Sequence, residues 1–338
     1  REFAMKQYGL TFADCYRDPD AYVDAQIRCR QDTGIDCVWD LFGIAALEEA
    51  AGSTMATPED EPPTIIEPVL TERDLRLARR IDPRRDGRMP MLIDIVRKLR
   101  KAAGPDIPVF AWVSAPFRSA CMLRGLTNIF TDMYDDPDFV SELVDYCVAP
   151  CTEFALALAE AGADVIEIGN ASASSAMISR EMYLRYVHHS DKALAAALKR
   201  ANVTTMMHIC GDLNDRADLV CTEGIDIVSF ERMDVPRFKA LYGREVCFLG
   251  YVGSSSTLLR GTPDDVEKES AGCIRAAGDG GGFILSADCV VPRDTPLENV
   301  RAMVRAAERA ISCFGGEKWT STRSATSLGW VGRGGCWW

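Results

Sequence analysis

The feature that most restricts the fold is an alternation of apolar and amphipathic segments between about residues 20 and 310. The apolar segments are continuous runs, which are typical of parallel strands that helices cover on both faces. Seven strands can be assigned in this way: IDCVWDLF, IPVFAWVSAP, ADVIEIGN, VTTMMHICG, IDIVSFE, EVCFLGYVG and GGFILSADC. The pattern predicts an α/β fold, a (β/α)8 TIM-type barrel, with one strand still to be assigned. A first strand upstream of Arg1, or an irregular strand within residues 53–70, would complete it.

The domain organisation follows from where this alternation stops. We predict a single barrel domain over residues 1–314, followed by a disordered or atypical tail over residues 315–338, which is rich in Gly, Ser and Trp and has no periodicity. The alternative for the tail is that its terminal tryptophans pack on a partner. Residue 1 is an arginine rather than a methionine, so we expect the sequence to begin inside its gene product.

Composition excludes several classes of protein. The net charge of −12 argues against a nucleic-acid-binding protein, because affinity for phosphate requires clustered Lys and Arg. The arginine-rich segment 71–88 is a local exception, which we interpret as a solvated helix and its loop, with a docking patch for an acidic partner as the alternative. No apolar run is long enough to span a membrane, and no secretory signal is present. The 13 cysteines lack a disulfide framework and are expected to be reduced cytoplasmic thiols.

Reactive side chains stand at the ends of three predicted strands. VTTMMHIC ends in His208 and Cys210, IDIVSFE ends in Glu231, and GGFILSADC ends in Cys289. Residues two apart on a strand point to the same side, and the ends of barrel strands meet at one rim. Two thiolates and an imidazole are ligands that zinc prefers, with a fourth position left for Glu231 or a substrate. Cysteines that serve only to pack strand ends are the alternative.

The stretch from Phe12 to Ile311 resembles the uroporphyrinogen decarboxylase superfamily, and more closely its branch of zinc-dependent corrinoid methyltransferases. The motifs that carry this resemblance are HICGD, GGFILSADCVVPRDTPLENVRAMV, VSAPFRSACMLRG and ADVIEIGNASASSAMISREMY. The resemblance implies zinc-ligand roles for His208, Cys210 and Cys289, and for Glu231 the role of the acidic residue that closes the site without substrate. The sequence departs from the branch at Asp288, where glycine is usual, and lacks the expected opening segment.

The resemblance also implies a reaction. A thiol such as coenzyme M would bind zinc as a thiolate and take a methyl group from a corrinoid, leaving Co(I) and a thioether. No D-x-H-x-x-G segment is present, so we expect the corrinoid to be carried by a separate protein. Glu167, Asn170 and Tyr251 are candidates for the substrate pocket, and hydrogen-bonded rim residues are the alternative for each. The direction of transfer and the oligomeric state remain open.

The sequence also leaves two alternative functions open. A tetrapyrrole decarboxylase would use Asp40, in CVWDLF, which occupies a position like the catalytic aspartate of the decarboxylases. The arginine-rich N-terminal motif by which those enzymes grip substrate carboxylates is absent from this sequence, and Asp40 can instead act as a capping or hydrogen-bonding residue. A non-catalytic protein in which four ligands close the zinc sphere is the third possibility.

Overall fold

A computed structural model describes residues 2–314, and the predicted tail 315–338 lies outside them. Its main sheet contains seven strands, all parallel to their neighbours, in the order in which they occur in the chain. All seven were predicted from the sequence. They are β1 (Val38–Asp40), β4 (Val109–Ser114), β5 (Val165–Gly169), β6 (Thr204–Asp212), β7 (Ile227–Arg232), β8 (Cys247–Val252) and β9 (Phe283–Ala287).

Helices connect these parallel strands, so the architecture is α/β and of the TIM-barrel type. Seven of the eight strand positions of a complete barrel are filled within residues 2–314, with β1 and β9 at the edges of the sheet. The position left open is the one that a strand before β1 would occupy. Because all seven strands are parallel, their carboxyl ends open onto one rim.

An irregular eighth strand within residues 53–70 is a wrong expectation. That segment instead forms a separate antiparallel hairpin of β2 (Thr54–Ala56) and β3 (Thr64–Glu67). Pro58, Pro62 and Pro63 lie between the two strands and prevent one continuous strand over residues 53–70, since proline cannot donate to a strand ladder. Residues 53–70 therefore form a hairpin in the connection after β1 and not a strand of the main sheet.

The helices pack around the sheet and several begin and end at residues that the sequence marks. The helix α3 starts after the Asp18 cap and ends at Gly34, whose φ of 82° is left-handed. The 25-residue helix α8 likewise starts after Asp136, whose side chain accepts from Phe139 N. The first seven helices are α1 (Glu2–Gln7), α2 (Phe12–Arg17), α3 (Pro19–Thr33), α4 (Ala46–Ala51), α5 (Met89–Ala103), α6 (Pro116–Arg124) and α7 (Leu126–Asp135). The remaining helices are α8 (Pro137–Ala161), α9 (Arg180–Met182), α10 (His188–Arg200), α11 (Ala217–Val220), α12 (Val235–Tyr242), α13 (Pro263–Ala277) and α14 (Leu297–Phe314).

The arginine-rich segment is not the helix that its periodicity suggests. It contains only a short 3-10 helix, Leu75–Leu77, because Pro83 and the turn around Asp82 interrupt the backbone pattern. Its arginines pair inside the chain, for example Arg73 with Asp132 at 2.8 Å and Arg84 with Glu160 at 2.6 Å. Such pairing within the chain agrees with a solvated surface segment. We therefore do not assign a docking role to residues 71–88.

Two apolar layers hold the barrel together. The larger layer lies between the sheet and the surrounding helices and includes Val113, Ile168 and Val228, which are fully buried. The smaller one fills the barrel interior with one residue from each of five neighbouring strands: Phe110, Val165, Met206, Ile227 and Leu249. Because this inner layer closes the barrel below the rim, those strand-end side chains that point into the barrel line the space above it. Within residues 2–314 no helix combines the length and apolar character needed to cross a membrane.

Candidate metal centre

The residues predicted at the strand ends converge at the rim. His208 lies on β6 with Gly169 of β5 on one side and Ser229 of β7 on the other. The Sγ atom of Cys210 is 3.4 Å from His208 Nε2, and the Sγ atom of Cys289 is 3.8 Å from the same nitrogen. The strand alternation therefore brings His208 and Cys210 together as predicted, although residue 289 is 81 positions away in sequence.

Glu231 joins these three side chains. One donor atom from each of the four residues lies within 4.8 Å of every other, and all four residues are half-buried. Glu231 stands two positions after Ser229 on β7, so both side chains face the barrel opening. We call this group the HCEC cluster: His208, Cys210, Glu231 and Cys289.

Ser229 fixes the orientation of the imidazole, and the sequence analysis missed it. Its hydroxyl oxygen is 3.0 Å from His208 Nδ1, which leaves Nε2 directed at the two sulfurs. A hydrogen bond to one ring nitrogen is the usual way in which a protein sets the tautomer of a ligating histidine. The signal that could have found Ser229 is its place two residues before Glu231 on a neighbouring strand.

The pKa values of the two thiols in the cluster are shifted in opposite directions. The hydrogen bond with Cys289 lowers the pKa of Cys210, whereas the hydrogen bond with Cys210, together with burial, raises the pKa of Cys289. Burial lowers the pKa of His208, but the Cys289 hydrogen bond and the charges of Glu167 and Glu231 outweigh it, so the pKa is raised. The cluster thus holds protons on closely spaced sulfur and nitrogen atoms, and a divalent cation is the natural replacement for them.

Glu167 is the substrate-pocket candidate that lies inside the barrel. Its Oε2 atom accepts a hydrogen bond from Trp39 Nε1 at 2.7 Å, and the Trp39 ring packs at a tilt against Phe110 of the inner apolar layer with centroids 4.7 Å apart. Glu167 is only 5% exposed. It therefore lies on the same face of the sheet as His208, whose protonation its charge favours.

Asn170 and Tyr251 point elsewhere. The Asn170 side chain is fully buried and donates from Nδ2 to Asp191 Oδ2 of α10 at 2.8 Å, which directs it behind the sheet. The Tyr251 ring packs on Phe230 with centroids 5.3 Å apart, and Phe230 belongs to the layer between sheet and helices. Neither side chain is brought to the HCEC cluster.

Asp40 also faces the helices. It is 3% exposed, and its Oδ1 atom accepts from the Tyr22 hydroxyl at 3.1 Å and from the Phe42 backbone at 2.9 Å. These contacts are those of the capping and hydrogen-bonding alternative. Asp288, where the resemblance leads one to expect glycine, accepts from Ser254 N at 2.8 Å and so ties the loop after β8 to the residue that precedes Cys289.

Fold and site together define a class: a TIM-type barrel that carries a histidine, two cysteines and a glutamate at its carboxyl-end rim. The model of the uroporphyrinogen decarboxylase (URO-D) family matches residues 1–310. The chain belongs to this family.

The similar proteins in this family include methyltransferases. The methylated-thiol--coenzyme M methyltransferase of Methanosarcina mazei is 27% identical over 81% of this chain and 73% of its own. The methylcobamide:CoM methyltransferase MtaA of Methanosarcina barkeri is 25% identical over 90% and 88%. A solved methyltransferase structure from Methanosarcina mazei, 24% identical, superimposes with a TM-score of 0.84 over 91% of this chain and 90% of that one, which shows the shared fold.

Proposed function

We propose that this protein is a zinc-dependent methyltransferase that moves a methyl group between a corrinoid, carried by a separate protein, and a zinc-bound thiol such as coenzyme M. The observation that carries the proposal is the HCEC cluster itself, where β6, β7 and the segment just after β9 bring four donor atoms within 4.8 Å of one another. The names of the similar methyltransferases, which act on methylcobamide and coenzyme M, support it.

The spacing of the donors suits zinc. Ligands at about 2.0–2.3 Å in a tetrahedron are separated from each other by roughly 3.5 Å for a nitrogen and a sulfur. The two sulfur-to-Nε2 distances of the cluster, 3.4 and 3.8 Å, bracket that value. His208, Cys210 and Cys289 would therefore hold the ion with little rearrangement, and Glu231 would take the fourth position until a substrate thiol displaces it.

Each protein group then has a definite task. When bound, zinc lowers the pKa of a substrate thiol and keeps its sulfur nucleophilic. Glu231, once displaced, would stand beside the incoming thiol, where its side chain could receive the thiol proton. Ser229 holds the imidazole, and Glu167 lies on the neighbouring strand, two positions before the residue that pairs with His208. We give Asp40 no catalytic step, because its carboxylate accepts hydrogen bonds from Tyr22 and Phe42.

Methyl transfer from free methylcobalamin to coenzyme M tests the proposal. We expect product from zinc-loaded protein, loss of product after chelation, and recovery when zinc is restored. Zinc bound without thiol uptake would instead indicate the closed, non-catalytic site. Turnover that persists in zinc-free protein would overturn the mechanism, and decarboxylation of uroporphyrinogen by that protein would establish the decarboxylase alternative.

The Ser229→Ala variant tests the orientation of His208. Without the hydroxyl 3.0 Å from Nδ1, the imidazole loses the group that fixes its tautomer. We expect zinc affinity to fall about 10- to 100-fold, the range for loss of a hydrogen-bond partner behind a metal ligand. Competition with a chromophoric chelator measures the affinity. Ser141→Ala is the matched control, since Ser141 donates to Pro137 O within α8, and affinity unchanged in both variants would contradict the role of Ser229.

A further inference from the structure

An arginine at the rim has no anionic partner within residues 2–314. Arg118 lies in the first turn of α6, directly after β4. Its Nη1 atom donates to Ser114 Oγ at 3.0 Å, and its guanidinium lies 5.1 Å from the centroid of the Trp112 ring. Among residues 2–314, no carboxylate lies within the 4.0 Å ion-pair distance of this guanidinium.

The contrast with the other arginine of α6 is informative. Arg124 is buried and satisfied, because it donates to Asp132 Oδ2 at 2.7 Å and to the Leu70 and Thr71 carbonyls at 2.8 Å. In a chain of net charge −12, a half-buried arginine that meets no carboxylate is unusual, since buried cations are ordinarily paired. The guanidinium of Arg118 therefore has N–H groups that can donate hydrogen bonds to a ligand.

The groups that hold Arg118 face the barrel opening. A Cβ atom added to Gly169 would lie 2.3 Å from Trp112 Nε1, so the indole covers the β5 position beside which His208 stands on β6. Ser114 is the β4 partner of that same Gly169. One strand thus separates the anchors of Arg118 from His208, or about 10 Å at the usual spacing of neighbouring strands. A short ligand can reach from one to the other.

From this placement we propose that Arg118 is the specificity residue that binds an anionic group, a sulfonate or carboxylate, at the end of the substrate opposite its zinc-bound sulfur. The inference rests on the proposed function and adds to it the residue that selects a short thiol with a terminal anion, such as coenzyme M, over a neutral thiol. Arginine suits this task because its planar fork binds two oxygens of such a group at once.

The N-terminus of α6 also favours the binding of an anion. The N-cap residue Ala115 has no side chain that accepts from the first turn, and Pro116 follows it. The partial positive charge of this helix terminus is therefore not offset by a capping side chain, and it adds to the field of the guanidinium. Trp112 contributes a rigid surface under the arginine, which limits the number of side-chain conformations that a bound anion must select.

The test is the Arg118→Gln variant with two thiols of similar size, coenzyme M and neutral 2-mercaptoethanol, and free methylcobalamin. We expect KM for coenzyme M to rise about 10- to 100-fold, as for loss of a charge-assisted hydrogen-bonded pair. KM for 2-mercaptoethanol, kcat and zinc content should stay within about twofold of the starting protein. Arg118→Lys should recover part of the selectivity. A parallel series with 3-mercaptopropionate distinguishes a carboxylate site from a sulfonate site.

Arg185→Gln is the matched control, because Arg185 also lies over an aromatic ring, 5.2 Å from Tyr186, but is exposed on the outside of the barrel. Equal rises in KM for the charged and the neutral thiol would overturn the assignment, as would no rise for either. Titration of zinc-loaded protein with ethanesulfonate, followed by calorimetry, separates this inference from the proposed function. Binding that Arg118→Gln abolishes supports the anion site even if no thiol is methylated, whereas turnover without preference for charged thiols refutes this inference alone.

Discussion

Replacing Cys289 with serine is expected to abolish both zinc binding and methyl transfer. Cys289 contributes one of the two sulfurs, 3.8 Å from His208 Nε2, and it is the ligand that arrives from the most distant strand. A serine hydroxyl is not ionised at neutral pH and is a poor ligand for zinc. We expect both zinc affinity and kcat/KM to fall by at least about 100-fold, the upper end for loss of a group that only supports a metal ligand.

Elemental analysis and the methylcobalamin assay measure the two losses on the same samples. Cys247→Ser is the matched control, since Cys247 is also a half-buried strand cysteine but packs beside the inner apolar layer and is not a member of the HCEC cluster. That variant should keep its zinc. Full activity in a Cys289→Ser protein without zinc would refute the metal mechanism, and full zinc content would show that residue 289 is not a ligand.

The largest expected effect on folding is that of Arg124→Met. The Arg124 side chain is 9% exposed and its partner Asp132 is 2% exposed, so the change leaves a buried carboxylate and two carbonyls without this donor. We expect the free energy of unfolding to fall by about 3 kcal/mol, the lower end of the range for a broken buried ion pair. The lower end applies because Arg73 still contacts Asp132. Urea denaturation measures the change.

Arg84→Met is the control for this experiment. Its ion pair with Glu160 is exposed, with side chains 53% and 68% accessible, and such pairs contribute less than about 1 kcal/mol. If Arg124→Met proved no more destabilising than Arg84→Met, the account of the buried pair would be wrong.

The strands and the cluster were predictable because local rules decide them. Continuous apolar runs identified all seven parallel strands, and parallel strands present their carboxyl ends on one rim. Alternation along β6 was enough to place His208 and Cys210 on the same side, where their side chains meet at 3.4 Å. Helix boundaries followed from caps such as Asp18 and Gly34, whose conformations depend on immediate neighbours.

The direction of other strand-end side chains depends on contacts that a single sequence does not display. Asp40, Asn170 and Tyr251 all stand at strand ends, yet each turns to a partner on the helix side: Tyr22, Asp191 and Phe230, respectively. These partners are remote in sequence. Strand alternation alone therefore does not predict which way the three side chains turn. Tertiary packing decided these cases, as it did for the proline-interrupted arginine segment.

Ser229 and Arg118 escaped notice for a related reason. A serine inside an apolar strand and an arginine in the first turn of a helix are common. Alternation with Glu231 places Ser229 on the barrel side of β7, but it does not show which residue of β6 stands opposite. Their importance appears only in the register, which sets Ser229 opposite His208 and brings Trp112 and Ser114 beside the Gly169 position. Register across parallel strands is a property of the assembled sheet.

X-ray absorption at the zinc edge, recorded on zinc-loaded protein before and after addition of coenzyme M, tests the central claim most directly. We predict two sulfur ligands at about 2.3 Å together with nitrogen and oxygen ligands in the resting protein, and three sulfurs after the thiol binds, with one oxygen lost. An unchanged sulfur count in the presence of saturating thiol would contradict the claim that Glu231 yields its place to the substrate. Failure of the protein to retain zinc would contradict the metal site itself.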